Sequence, residues 1–91
     1  MVLIVTYDLH NPGRDYKKVE AAIHKLGSWA HPQGSVWMVD TSTDTLTVVK
    51  TLYVAGDAND EYLVSRLHHN QAFINMDKDV EAWLRSPSRT W

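Results

Sequence analysis

The chain opens on an apolar run that reads as a strand and ends in one acidic residue. In residues 1–9 (Met-Val-Leu-Ile-Val-Thr-Tyr-Asp-Leu), Leu3, Val5, Tyr7 and Leu9 share one face of a strand, and Val2, Ile4, Thr6 and Asp8 share the other. Both faces are largely apolar, so the strand needs cover on both sides. Asn11, Pro12 and Gly13 signal a turn, after which Tyr16, Val19, Ile23 and Leu26 recur at helical spacing and Gly27 offers a stop. Residues 28–31 around Trp29 and 35–40 around Trp37 predict a hairpin that turns through Pro32, Gln33 and Gly34.

Ser42 or Thr43 is placed to cap a second helix with Leu46, Val49 and Tyr53 on its buried stripe and Gly56 as its stop. Residues 61–67 read as a last strand, and a short helix carrying Val80, Trp83 and Leu84 follows Asp77. The order strand, helix, strand, strand, helix, strand closes as a split pair of right-handed βαβ units. The predicted fold class is therefore α+β: a ferredoxin-like βαββαβ domain with a four-stranded antiparallel sheet, two helices on one face and a short C-terminal helical extension. Residues 1–85 form this single domain and 86–91 a loosely held tail. The second sheet face is expected to be open, and Val2 and Ile4 on it would form an apolar patch of the kind that marks an interface, so a homodimer is expected.

Composition narrows the chemistry. The 91 residues suit one domain, and the absence of cysteine excludes disulfides, thiol nucleophiles and cysteine-ligated metals. The longest apolar run is far too short to span a membrane, and a soluble cytoplasmic protein is expected. The formal net charge of -2 disfavours duplex DNA as a partner, because proteins that grip its backbone carry a basic surplus. Arg14, Lys17, Lys18 and Lys25 form the one cationic cluster, interrupted by Asp15 and Glu20. It reads either as a solvated helix face or as a groove for single-stranded RNA or a small nucleotide.

Val5-Thr6-Tyr7-Asp8-Leu9, a helix ending in Lys25-Leu26-Gly27, and Gln33-Gly34-Ser35-Val36-Trp37 together resemble the smaller of the two core CRISPR adaptation proteins. Virulence-associated protein D and the small SinR-like proteins are relatives of that family, and Ala82-Trp83-Leu84 is most similar to the SinR-like group. The resemblance covers roughly residues 1 to 67. It implies a ferredoxin-like homodimer and, as in some members, a metal-dependent nuclease whose strand-end aspartates meet at the dimer axis. Carried over, Asp8 would bind the metal with Ser35 near it, and Trp37 stands where the family usually has phenylalanine.

The antiparallel topology itself brings Asp8 near Ser35 and near Asp60 or Glu61. Oxygen ligands so gathered suit Mg2+, which could polarise a phosphodiester and activate water. Asp8 alternatively caps the following turn through backbone amides near Asn11. His10 reads as a general base or phosphate contact, or as a solvated loop residue. Trp29 and Trp37 either stack on bases or are buried, and their strand positions favour burial. Two functions follow: a metal-dependent endoribonuclease or phosphodiesterase acting through Asp8 and His10, with Arg14, Lys17, Ser35 and Trp37 holding the nucleotide; or a non-catalytic nucleotide- or protein-binding dimer in a phage or defence system.

Overall fold

The computed structural model describes residues 1–10 and 16–91, so the predicted turn at Asn11, Pro12 and Gly13, and Arg14 with it, lies outside the described residues. Four strands, β1 (Val2–Asp8), β2 (Ser28–Gln33), β3 (Val36–Asp40) and β4 (Glu61–Arg66), form one sheet in the order β2-β3-β1-β4, with every neighbouring pair antiparallel. Helices α1 (Lys17–His24) and α2 (Thr45–Ala55) connect the strands and α3 (Lys78–Arg85) follows them. This is the ferredoxin-like α+β arrangement. No helix among the described residues is long and apolar enough to cross a membrane.

Leu3 and Val5 of β1 pack with Trp37 and Val39 of β3 against Val19 and Ile23 of α1 and Val48 and Leu52 of α2. Burying a Leu or Val side chain contributes roughly 1.5–3 kcal/mol, so this cluster dominates stability. The stripe of α2 differs from the expected one: Val48 and Leu52 are fully buried, while Leu46 and Tyr53 are more than half exposed. The helix is apolar around much of its girth, so periodicity does not choose between adjacent stripes. Its cap is Asp44, whose carboxylate accepts the Thr47 amide at 2.7 Å, rather than Ser42 or Thr43.

The hairpin also turns later than expected. Gln33 pairs with Val36, leaving Gly34 and Ser35 as a two-residue turn, and Pro32 lies inside edge strand β2 at an irregularity between Ala30 and Gln33. An edge strand tolerates proline there because its outward amide needs no ladder partner. Trp29 is 42% exposed, whereas Trp37 is buried as expected.

The second sheet face is not open along its length. Val80 and Leu84 of α3 pack with Ala30 and Met38 of the sheet, joined by Leu67, Phe73, Met76, Trp83 and Trp91. Val2 is completely buried and Ile4 half-buried. The apolar patch that motivated a homodimer is therefore largely covered by the chain's own C-terminal segment. The tail is correspondingly held: the amide and hydroxyl of Thr90 both donate to Asp40, the Arg89 guanidinium lies 3.7 Å from the same carboxylate, and the Arg66 guanidinium donates to the Trp91 carbonyl. The amino group of Met1, 3.6 Å from Asp40, joins this clamp. Burial pushes the Asp40 carboxyl up, but the Thr90 bonds and the charges of Met1 and Arg89 outweigh it and hold the group below its ordinary value.

Two substitutions test these contacts. Leu84→Ala should lower unfolding free energy by about 2 to 4 kcal/mol in denaturant titration, as for other buried leucines, because α3 is a structural cover and not an appendage. A Cβ on Gly27 would stand 2.1 Å from the Asp40 carbonyl oxygen, so Gly27→Ala should cost about 2 kcal/mol or more by the same measurement.

Candidate metal site

At the C-terminal end of β1 the register places Asp8 directly across from Glu61, the first residue of β4. Directly opposed residues of an antiparallel pair project to one face, here the second face, beyond the part covered by α3. His10, two residues on, brings its ring to the same place: Nε2 lies 3.7 Å from the Asp8 carboxylate and 3.4 Å from that of Glu61. One ligand atom from each of the three side chains lies within 4.8 Å of the others. All three are well exposed, the Asp8 and Glu61 side chains by 72% and 75%.

The position of His10 is fixed from below by Asp60. This carboxylate is buried, and it accepts the His10 amide at 2.9 Å, the Tyr16 hydroxyl at 2.9 Å and the Asp57 amide at 2.7 Å. It thereby ties the end of β1, the start of α1 and the loop before β4 at one point. Burial raises the Asp60 carboxyl, but these donors outweigh it and hold it below its ordinary value. Neighbouring residues at the start of β4 thus do different work: Asp60, just before the strand, is buried and organises, and Glu61, its first residue, is exposed beside Asp8. Gly56 makes room for this packing, since a Cβ there would stand 2.0 Å from the Tyr62 hydroxyl oxygen and 3.0 Å from the Asp60 carboxylate.

The other expected site residues separate from this cluster. The Ser35 carbonyl accepts the Tyr7 amide at 3.1 Å, so the Ser35 backbone is a neighbour of β1, and the residue itself belongs to the turn before β3. Trp37 is 3% exposed, donates its indole N–H to the Tyr7 hydroxyl at 2.9 Å and stacks on His31 at 3.6 Å, which removes it as a platform for bases. Lys17, Lys18 and Lys25 are exposed on or beside α1, the helix of the other face. Arg14 lies outside the described residues, as does the turn that Asp8 would cap at Asn11. The ligand that sequence left undecided is Glu61. Its signal was the antiparallel pairing of the first and last strands, which sets the first residue of β4 across from Asp8.

Two carboxylates and an imidazole in mutual reach, exposed to solvent, form a set of hard oxygen donors with one borderline nitrogen. Such a set is capable of holding a metal ion. No protein-family model matches this chain, and no curated protein or solved structure is similar enough to count as a match. The resemblance to the CRISPR adaptation proteins accordingly rests on the short sequence motifs.

The Asp60 network predicts a pH dependence. A carboxyl held below its ordinary value stabilises the fold fully above the unfolded-state value, near 3.9, and that stabilisation is lost as pH falls through the lower folded value. Asp60→Asn keeps one acceptor but sets an NH2 donor against another N–H. It should cost about 1–3 kcal/mol at neutral pH and flatten the acid limb of stability below about pH 4, read from denaturant midpoints across pH.

Proposed function

We propose that this chain is a divalent-metal-dependent phosphodiester hydrolase acting on RNA or a small nucleotide in the cytoplasm, with Asp8, Glu61 and His10 holding the cation. The observation that carries the reading is the convergence of those three ligand atoms within 4.8 Å at one exposed strand end. An anionic phosphodiester would be repelled by two adjacent carboxylates, so the same residues that look hostile to the substrate become its binding site once a cation is held. The cation, Mg2+ or more favourably Mn2+, supplies Lewis acidity toward a phosphoryl oxygen.

The protein's own part is positional. Asp8 and Glu61 are fixed by the β1–β4 ladder and His10 by the Asp60 bond to its amide, so the ligands need little reordering. With Nε2 turned toward both carboxylates, His10 acts as a ligand and not as the general base. The open surroundings of the site suit an extended strand or a flexible nucleotide better than rigid duplex, in keeping with the acidic charge balance. A complete ligand set within one chain makes pairing of two Asp8 side chains unnecessary, although a homodimer through the uncovered part of the sheet, around the exposed Leu63, is compatible with it.

The second reading is a non-catalytic nucleotide- or protein-binding dimer in a phage or defence system. It is favoured by the same exposure, because a site without walls excludes little water and gains little from desolvation.

Cleavage of labelled RNA and cyclic nucleotides should require Mn2+ or Mg2+ and fall by about 100-fold or more in Asp8→Ala and Glu61→Gln. Calorimetric titration with Mn2+ should show one site per chain that both variants lose. Equal cleavage by wild type and Asp8→Ala would remove the catalytic assignment, while nucleotide binding without turnover would select the second reading.

A further inference from the structure

β4 is an outer strand of the sheet, with β1 as its one neighbour among the described residues and α2 packed beside it. The Leu67 amide donates to the Val2 carbonyl at 2.8 Å, which sets the parity of the β1–β4 ladder. Leu63 and Ser65 share that parity and bond to β1, so Val64 and Arg66 direct their amides and carbonyls to the open edge. Exposed edges are usually blunted by a proline, a bulge or a charge in mid-strand. β4 has no proline and an unbroken register, and between Glu61 and Arg66 it carries no charge. Its Leu63 is apolar and more than half exposed. The flank of α2 over this edge is apolar as well. Val49 and Tyr53 line, with Tyr62, a hollow of about 320 Å3 between α2 and β4. Leu46, three residues before Val49, continues the stripe, and both Leu46 and Tyr53 are more than half exposed.

We propose that β4 pairs antiparallel with β4 of a second copy of this chain, about a two-fold axis at Val64, joining the two sheets edge to edge. Charge selects a copy of the chain as the partner. The strand opens on Asp60 and Glu61 and closes on Arg66, with His68 and His69 just beyond. Antiparallel self-pairing sets the acidic end of one copy beside the basic end of the other, whereas parallel pairing would set like against like. The α2 stripe selects the same partner. The two-fold axis that joins the strands brings the two α2 helices alongside each other on one face, Leu46 of one copy toward Tyr53 of the other. A foreign strand would satisfy the backbone edge and leave that stripe in water. Centred on Val64, the pairing sets Tyr62 across from Arg66 of the second copy. It also brings the two Leu63 side chains to diagonal positions, about 7–8 Å apart. Each chain keeps its own Asp8, His10 and Glu61 together, so the pairing does not depend on a bound cation.

Oligomeric state and edge amides are measured together. Sedimentation of the whole chain should show a species of twice 10.4 kDa at about 100 μM. In hydrogen exchange the Leu63 and Ser65 amides should be protected at every concentration. Those of Val64 and Arg66 should slow by about tenfold or more as the dimer forms. Val64→Pro removes an amide that β1 does not use, in the way that Pro32 is accommodated in edge strand β2, and should weaken association by about tenfold or more. Leu63→Lys, at an exposed position, should do the same and serves if the proline variant does not fold. The proposal is overturned by a chain that stays monomeric up to about 500 μM or by unchanged association of Leu63→Lys. It is equally overturned by a dimer in which the Val64 and Arg66 amides exchange as fast as in the diluted chain, since that dimer would be held through another surface.

Discussion

A central strand that is apolar on both faces has to be covered twice, and the architecture follows from satisfying that demand in β1. One cover is the pair α1 and α2, which buries Leu3 and Val5 in the main cluster. The other is supplied by the C-terminal segment, whose α3 packs on Ala30 and Met38 while Val2 lies fully buried in the sheet. Where the second cover ends, toward the last residues of β1, the side chains change character from Val2 and Ile4 to Thr6 and Asp8. The polar end of the strand is thus the part of the second face that the fold leaves to solvent, and Asp8, His10 and Glu61 gather there.

The cluster owes its geometry to two constraints that act independently. The β1–β4 ladder sets Asp8 against Glu61, and a buried carboxylate one residue before Glu61 captures the backbone of His10 across 50 positions of sequence. Removing either constraint would leave the three functional groups present but apart. A buried, triply bonded Asp60 costs desolvation that its donors repay, and it turns a chain exit into a fixed mount for an imidazole.

Much of this was legible in the amino-acid order. The period of two in β1 assigned Leu3 and Val5 to one face and Val2 and Asp8 to the other, and antiparallel topology then brought the acids of the 60–61 pair to Asp8. What was not legible has identifiable causes. Helix α2 carries apolar residues on more than one stripe, so Val48 and Leu52 could not be preferred over Leu46 and Tyr53. The cover of the second face is assembled from scattered residues, Leu67, Phe73, Met76 and Trp91 with the short α3, and most of these lie in irregular chain where no period announces a buried side. Trp37 belongs beside β1 in sequence logic and in structure, yet its register turns it to the helix-covered face. Adjacency of strands is read from topology; the side to which a side chain turns depends on the register of each pair.

The Asp40 clamp has a consequence for how this cysteine-free chain resists unravelling. One carboxylate gathers the first residue, the end of β3 and the segment at Arg89 and Thr90, contacts that span 50 positions of sequence between Asp40 and Thr90. It acts as an ionic cross-link, restraining distant parts of the chain as a disulfide would but only while the fold persists. Such a link is indifferent to reducing conditions, which would sever a sulfur bridge. Its sensitivity is instead to protons, because acid neutralises the hub. The second cover of the sheet is therefore fastened by chemistry that a fall in pH, and not a change of redox state, would release.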